Sequence, residues 1–462
     1  MRRFVFGLVF LLAINNVGIG QSSSIGITKG NITNAQSGAA TNSTSALVSR
    51  YVDPLQGASS DDLVRRALSS NAELAAVRLE IERARARLRQ AALRTNPTID
   101  FEQQTGKLTG SAGERETSIG FALPIELGGK RQRRIDVARI GLEASEAEVA
   151  DRERRLTAEL RGAYAEAAAA LRELEAIESL NTLEVQTVRI IEARVTEGEA
   201  APLELNLLRS EGDRLRARRA LVEGRLEAAL LRLKSIAGIP SSESLKLRED
   251  IVTPAIQTPP ESLEAAVDIA LRSRPDLQLA RIEERLAEAG LRLARAQATP
   301  DVTAFTKYST TRSTFDNTPV GVLRDQDKLV TFGVSVSIPF FNQNQGAKAE
   351  AAVAIAQARH RREFAEARVR TEVQSAYLRY QAAQSALATF EQDVLARSAE
   401  NVRAVRGAYE LGAFRVTELL AEQRRFVDLQ REYTETLTER YRALADLWSA
   451  IGSPTATGTM KD

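Results

Sequence analysis

The second half of this chain repeats the first half, and this duplication restricts the possible folds more than any other feature. Residues 61–99 align with residues 261–302. Near the start of the repeat, Pro97 matches Pro300 at a separation of 203 residues. In the middle Tyr164 matches Tyr377 at 213, and near the end Gly198 matches Gly412 at 214. Long stretches of constant separation indicate an internal duplication. We therefore expect two versions of one unit, 60–240 and 262–454, with the ten extra residues mostly in a loop between strands.

Each copy predicts the same order of elements: a helix, two β-strands, a very long helix, a tight turn and a last helix. The apolar residues of the helices recur at coiled-coil spacing, as Leu208, Leu215 and Val222 step by seven. A long helix would extend about 100 Å, and the two shorter helices could stack end to end against it. The predicted ranges are helices 60–95 and 262–298, strands 97–108, 115–125, 301–311 and 329–339, long helices 129–196 and 345–410, and last helices 202–237 and 416–451.

The composition favours long packed helices and gives no indication of an enzyme. Aromatic residues make up only 5% of the 462 residues, whereas charged residues make up 27%, which is the profile of helix surfaces rather than of large globular cores. The chain has no cysteine, one histidine (His360) and two methionines, so soft metal ligands are scarce. No nucleophile–base pair, phosphate loop or metal-ligand spacing is present in the sequence. We expect no catalytic residue, no resident metal and no cofactor.

The first twenty residues predict a signal peptide. Arg2 and Arg3 precede an apolar run, 4–14, that is too short to cross a bilayer as a helix. Its removal lowers the formal net charge from +2 to zero, so the charge does not indicate a nucleic-acid partner. The other segments outside the two copies are an extended low-complexity stretch, an inter-repeat linker and a tail, at 21–59, 241–261 and 455–462.

The strands carry the indication of a membrane protein. The second strand of each hairpin alternates apolar with small or polar residues, as outer-membrane strands do, whereas the register of the first strands is not set by their pattern. The residues expected to face lipid are Ile119, Phe121, Leu123, Phe332, Val334, Val336 and Ile338. Four strands cannot close a barrel, and open sheet edges are not tolerated in hydrocarbon. Several chains would therefore share one barrel, and three chains would give twelve strands with a lumen.

Two simpler explanations remain open from the residues alone. Each strand by itself could be an ordinary half-buried strand. The whole chain could be a secreted coiled-coil structural protein in which the strands are minor caps.

From about residue 60 to residue 454 the chain resembles the TolC-type outer-membrane efflux proteins. The resemblance rests on the duplication and on three recurring pairs of segments: ALSSNAEL and ALRSRPDL, LPIELGGKR and IPFFNQNQGA, and TEGEAAPLELN and YELGAFRVTELL. The second pair is most similar to the branch that serves cobalt-zinc-cadmium resistance. The resemblance implies a mainly α fold with a small β part: long antiparallel coiled-coil helices and four transmembrane β-strands per chain. It also implies a homotrimer, in which a 12-stranded β-barrel continues into a 12-helix α-barrel.

The same resemblance implies a passive exit duct in the outer membrane, with its helical tunnel in the periplasm. Substrates would be divalent metal cations, or else small toxic compounds, delivered by an inner-membrane pump of the RND type and a periplasmic adaptor. A duct for type I polypeptide secretion is the alternative within the same family.

Two groups of site residues are implied by the resemblance. The tip turns, 197–202 and 411–416, would form the periplasmic aperture and the adaptor contact, with Gly198, Glu204, Tyr409, Gly412, Phe414, Arg415 and Glu418. The strand-to-helix junctions would lie at the membrane border, where cationic side chains can reach lipid head groups, with Pro124, Gly128, Gly129, Lys130, Arg131 and Pro339. Ordinary charges on a solvated helix face remain the simpler explanation of Glu204, Glu418 and the basic run. Phe414 departs from members that carry arginine there.

Overall fold

The computed structural model describes residues 50–106, 114–248, 251, 256, 258–318 and 321–452. The predicted signal peptide, the predicted tail 455–462 and most of the segment 21–59 lie outside the described residues. Part of 50–59 packs against the repeats rather than extending into solvent, because the side chain of Tyr51 is buried in the core and Val52 forms a β-bridge with Leu247.

The described chain is mainly helical with one small antiparallel sheet, and this confirms the expected fold class. In chain order the elements are α1 (Ser60–Ser70), α2 (Ala72–Ala91), β1 (Thr98–Thr105), β2 (Arg115–Ile125), α3 (Lys130–Thr196), α4 (Pro202–Ala237), α5 (Leu263–Ser273), α6 (Pro275–Gln297), β3 (Val302–Thr318), β4 (Gly321–Val336), α7 (Gln345–Thr389), α8 (Leu395–Glu410) and α9 (Val416–Ile451).

Helix α3 forms the axis of the first repeat. It has 67 residues and therefore extends about 100 Å. Helix α2 packs along its first half, where Arg78 pairs with Glu153 at 2.6 Å, and α4 packs along its second half. In the same way α6 and α9 pack along α7. The shorter helices of each repeat thus line up along the long one, as the lengths in the sequence suggested.

The first helix of each repeat is broken, so the expectation of single helices over 60–95 and 262–298 is wrong. Asn71 lies between α1 and α2 with an extended backbone, and its side-chain oxygen accepts a hydrogen bond from the Leu74 N–H at 2.9 Å. Such N-caps start a new helix. Arg274 lies between α5 and α6 directly before Pro275, and the residue before proline is disfavoured in the helical conformation.

Both breaks are tied to the end of the last helix of their own repeat. Asn71 donates a hydrogen bond from Nδ2 to the carbonyl of Ile236 at 3.0 Å. Arg274 donates from Nη1 to the carbonyl of Ala450 at 3.2 Å. Ala450 is the duplicated counterpart of Ile236, so two different side chains reach the same carbonyl of the repeat. The contact holds the first and last helices of each repeat together.

The four strands form one sheet in the order β1-β2-β3-β4, antiparallel throughout. Pairing of β2 with β3 joins the two repeats. The ten extra residues of the second copy do not form a loop, contrary to expectation: β3 continues to Thr318 and β4 begins at Gly321. The stretch contains the β-branched residues Thr310, Thr311 and Thr314, which favour strands. The insertion therefore lengthens the second hairpin.

The second long helix differs from the first in one turn. Between α7 and α8, residues Phe390–Val394 form a π-helical turn. The ring of Phe390 lies 6.2 Å from the ring of Tyr433 on α9. Both of these residues belong to the second repeat. The two repeats meet where the rings of Tyr164 on α3 and Tyr441 on α9 stack with centroids 6.4 Å apart, and also where α3 packs against α6 and β2 pairs with β3.

Gly238 offers a test of the contact that closes the first repeat. It ends α4 with φ of +68°, and a Cβ atom there would lie 2.6 Å from the carbonyl oxygen of Ser70. We expect Gly238→Ala to lower the stability by about 1–3 kcal/mol, seen as a lower melting temperature in detergent. The control is Gly224→Ala, inside the same helix with open space around it, which should raise stability by up to about 1 kcal/mol. Equal shifts in both variants would contradict this account.

Candidate functional site: the sheet faces, the junctions and the helical tips

One face of the sheet is apolar and exposed. The strand register aligns Phe101, Ile119, Tyr308 and Val330 in one row across the four strands. The next rows contain Ile99, Phe121 and Phe332, then Leu123 and Val334, then Ile125 and Val336. All of these side chains are exposed, from 40% for Leu123 to 78% for Phe332. None of the described residues covers the face.

The predicted lipid-facing residues of the strands all belong to this face, and Ile338 is exposed just beyond the end of β4. That they contact lipid stays a prediction. The pattern alone did not assign Ile99, Phe101, Tyr308 and Val330 to the face. The alternation of Ile99 and Phe101 with Asp100 and Glu102 was the available signal for β1.

The opposite face is polar. Glu102 pairs with Lys307 at 2.7 Å. Ser118 of β2 and Ser309 of β3 are neighbours on the two inner strands, and both are buried. Phe305 is an aromatic exception, and its ring covers Gly333, where a Cβ atom would lie 2.3 Å from the ring. The sheet therefore separates an apolar exposed side from a side lined by charges and hydroxyl groups.

The sheet also has two free edges. Strands β2 and β3 are paired on both sides, whereas β1 and β4 each have one neighbour among the described residues. Pro124 lies two residues beyond the last pair between β1 and β2, at Thr98 and Ala122. On its other side Pro124 still pairs with Thr303 of β3, one residue before the end of β2. Proline is expected at such strand ends, because it has no N–H to donate.

Two glycines shape the first strand-to-helix junction. Gly128 and Gly129 both have φ of +69°, in the left-handed region that suits glycine. A Cβ atom on Gly128 would lie 2.7 Å from the Oγ1 atom of Thr299. At the second junction Asn344 takes the equivalent place with φ of 59°, and its Nδ2 atom donates to the carbonyl of Ala294 at 2.9 Å. Both junctions thus lie close to the end of α6, at Thr299 and at Ala294.

The basic run after these glycines makes contacts within the chain. Lys130 is buried and pairs with Asp301 at 2.8 Å. Arg131 donates from Nε to the carbonyl of Ala92 at 2.7 Å. These contacts connect the start of α3 with the two segments that lead into the strands. Contact of the run with lipid head groups stays a prediction.

Further contacts complete the two junctions. Arg134 binds both carboxylate oxygens of Glu126, and these hydrogen bonds hold the pKa of Glu126 below its usual range. At the second junction Pro339 follows the end of β4, and Phe340 and Phe341 are 78% and 96% exposed. No role was predicted for these phenylalanines, although an FF pair is conspicuous in a chain with only 5% aromatic residues.

The two helical hairpins end in similar turns. Gly198 and Gly412 have φ of +79° and +75° and open space around them, so both turns depend on glycine for backbone conformation rather than for close packing. Behind the turns a small apolar cluster contains Ile191, Leu208 and Leu419. It holds the two hairpins together near their ends.

One hydrogen bond links the hairpins at the tip. The hydroxyl of Tyr409 on α8 donates to the Glu204 carboxylate on α4 at 3.4 Å. Tyr409 is 7% exposed, and burial together with the negative charge of Glu204 raises its pKa to about 12. The hydroxyl therefore keeps its proton at physiological pH and remains a donor.

The other predicted tip residues lie on the second turn. Glu418 accepts a hydrogen bond from the backbone N–H of Arg415 at 2.6 Å, and in this way it caps the start of α9. Phe414 is 45% exposed and the neighbouring Leu411 is 87% exposed. The structure thus gives Glu418 a local structural contact, whereas its place in an aperture stays a prediction.

These features define a class of protein. An exposed apolar sheet face continues into helices of about 100 Å that end in glycine turns, which is the arrangement of a membrane channel with a helical extension. No described helix is both long and apolar enough to cross a bilayer. The chain belongs to the outer membrane efflux protein family, whose family model matches residues 63–239 and 266–453, one segment for each repeat.

Curated relatives and solved structures agree with this assignment. The chain is 21% identical over 390 residues to the cobalt-zinc-cadmium resistance protein CzcC of Cupriavidus metallidurans, covering 84% of this chain and 88% of the relative. It is 27% identical over 306 residues to the nickel and cobalt resistance protein CnrC of the same organism, covering 65% and 68%.

The fold is similar to that of solved outer-membrane proteins. For CusC the TM-score is 0.70 at 20% identity, covering 88% of this chain and 94% of CusC. For VceC of Vibrio cholerae it is 0.69 at 18% identity, covering 85% and 96%. The expectations of an outer-membrane location and an efflux channel are confirmed by the family. Its members are channel components rather than enzymes, and they work with an adaptor and an inner-membrane pump.

The bond between Tyr409 and Glu204 can be tested in the reconstituted channel. Tyr409→Phe removes only the hydroxyl, which should weaken the link by about 0.5–1.5 kcal/mol and raise the open-to-closed ratio about two- to tenfold. Because the pKa of Tyr409 is about 12, the effect should not vary between about pH 6 and pH 9. Conductance in planar bilayers measures it. Tyr377→Phe, which removes a hydroxyl bound to the Glu261 carbonyl at 3.0 Å, is the control and should leave conductance unchanged.

Proposed function

We propose that three copies of this chain form the exit duct of a tripartite system that exports divalent metal cations. The observation that carries the proposal is the sheet with one exposed apolar face and two free edges. Hydrocarbon does not tolerate unpaired backbone groups at sheet edges, and four strands are too few to close a barrel. Pairing β1 of one copy with β4 of the next would satisfy both edges and keep every pair antiparallel. Three copies would give twelve strands around a lumen.

In this arrangement the helices would build a tunnel. Each chain contributes two long helices and two lines of shorter helices, so three copies would supply a ring of twelve. Exposed apolar side chains along α7 support the packing of a neighbouring copy: Val353 and Phe364 are each 69% exposed and Leu378 is 60% exposed. Single exposed apolar residues are common, but these three recur along one long helix.

The proposal of metal cations as cargo rests on the relatives that confer metal resistance. A duct of this kind passes ions without holding them, and among the described residues no group of three or more histidine, aspartate or glutamate side chains could hold a metal. Substrate selection would belong to the pump, proposed to be of the RND type, and to the adaptor. The polar face of the sheet, with Asp100 and Glu102, would line the lumen.

The helical tips would form the periplasmic aperture and receive the adaptor. In a trimer Glu204 and Glu418 would supply six carboxylates, and such rings favour cations. Exposed apolar residues beside them, Leu203, Leu411 and Phe414, would meet the adaptor. At the other end, Lys130 and Arg131 would lie at the membrane border with Phe340 and Phe341.

Two neighbouring residues of β4 test the barrel. Val334 lies on the apolar face and Ser335 on the polar face. An arginine facing lipid costs about 2–4 kcal/mol at mid-membrane and less towards the membrane border, whereas one in the lumen is tolerated. Because Val334 lies two residues before the end of β4, we expect Val334→Arg to lower recovery of a three-chain species from the outer-membrane fraction, measured by light scattering in detergent, and Ser335→Arg to retain it. Equal recovery of both variants, or a soluble monomer, would refute the shared barrel.

The cargo is tested by growth. Deletion of the gene should increase sensitivity to cobalt, zinc, cadmium or nickel salts, and plasmid-borne wild-type protein should restore resistance. Sensitivity to organic toxicants measured in parallel is the control. A deletion strain that loses tolerance to organic compounds but keeps its metal tolerance would overturn metal export.

A further inference from the structure

Glu184 is a buried carboxyl in the middle of the helical packing. It lies on α3, and only 4% of the residue is exposed. Its Oε1 atom is buried with no hydrogen-bond partner among the described residues, and no ion pair there involves it. A void of about 30 Å³ lies beside it, large enough for a water molecule. The other residues around the void are Leu180, Leu183, Glu211, Leu215, Leu420, Gln423, Arg424 and Val427.

The charged groups that face Glu184 come from the two helices packed against α3. Helix α4 presents Glu211, and α9 presents Arg424, whose Nη2 atom is 2.6 Å from the Glu211 carboxylate. Arg214 lies 3.4 Å from the same carboxylate on its own helix. On α9, Glu422 pairs with Arg425 at 3.2 Å and does not border the void. The charge of Arg424 is thus directed to Glu211, while Glu184 has no cation of its own.

This arrangement favours the neutral form of Glu184. An ionised carboxylate would add a negative charge among leucine and valine side chains, next to a second carboxylate. Burial and the charge of Glu211 raise the pKa of Glu184 to about 7. A divalent cation would fit less well, because together with Arg424 it would leave excess positive charge in an apolar void.

We propose that Glu184 is a proton-binding site that couples the packing of α3 against α4 and α9 to the pH of the periplasm. The protonated side chain holds the three helices together. When it ionises, it draws water into the void and separates α3 from its neighbours. The effect on transport rests on the proposed duct. Glu184 lies about 18 Å from the end of α3, so looser packing there would widen the aperture at the tip.

The sign of the pH dependence follows from linkage. The proton binds more tightly in the packed state than in the loosened state, where the carboxyl is hydrated and titrates near the usual value of 4.5. Packing is therefore strongest below that pH, weakens as pH rises towards 7, and changes no further above it. The equilibrium constant for packing should change about tenfold for each pH unit between the two pKa values. Between the acidic and the alkaline limit it should therefore change on the order of a hundredfold.

The experiment compares full-length channels between about pH 4.5 and pH 8.5. Wild-type conductance in planar bilayers should rise with pH and reach half of its change below or near pH 7. Glu184→Gln, which imitates the protonated side chain, should stay at the acidic level. Glu211→Gln should move the midpoint to lower pH, because it removes a negative neighbour. Glu148→Gln, an exposed carboxylate on the same helix, is the matched control and should behave like wild type.

Hydrogen exchange of the α9 segment 416–427 in detergent, corrected for the intrinsic pH dependence, gives a second readout. This exchange measurement tests the proton site even if no variant conducts ions. Absence of conductance would itself count against the proposed duct. An unchanged midpoint of exchange and conductance in Glu184→Gln would overturn the proton site. A wild-type midpoint that shifts with added zinc would overturn it too, since the void would then bind a cation.

Discussion

Backbone N–H and C=O groups that enter hydrocarbon must all be paired, and much of this architecture follows from that requirement. In β2 and β3 the chain satisfies both edges by itself, and it does so by pairing one repeat with the other. In β1 and β4 it leaves one edge of each strand open. The apolar face adds a second demand, because rows such as Phe101, Ile119, Tyr308 and Val330 gain nothing from water. Within the described chain neither demand is met.

The sequence was informative wherever local pattern and backbone geometry decide the structure. Side chains of a strand alternate between its faces, so β2 and β4 could be assigned to faces without any knowledge of their partners. Helices α4 and α9 were located closely because Pro202 and the terminal glycines Gly238 and Gly452 mark helix ends. The register of β1 and β3 depends on cross-strand pairing, which no local pattern contains.

Contacts between distant residues were out of reach. The sequence could not show that Lys130 meets Asp301 and that Arg131 meets the Ala92 carbonyl, because only the fold brings these segments together. Lipid contact of the basic run stays a prediction. The helix breaks show a related limit. Asn71 and Arg274 bind equivalent carbonyls with different chemistry, so comparing residue identities between the repeats conceals their common role. Glu184 looked like any charge on a long helix, and only burial by α4 and α9 distinguishes it.

The π-helical turn at Phe390–Val394 explains a small irregularity in the duplication. The separation of matching residues grows by one between Tyr377 and Gly412, and a π-helical turn accommodates one residue more than an α-helical turn does. An inserted residue in a continuous α-helix would rotate every later side chain by about 100°, and would turn the Tyr409 ring away from Glu204. By bulging locally, the helix confines the insertion to a single turn. The π-helical turn therefore absorbs the one-residue difference between the repeats, and the side chains at the tip keep their orientation around the helix axis.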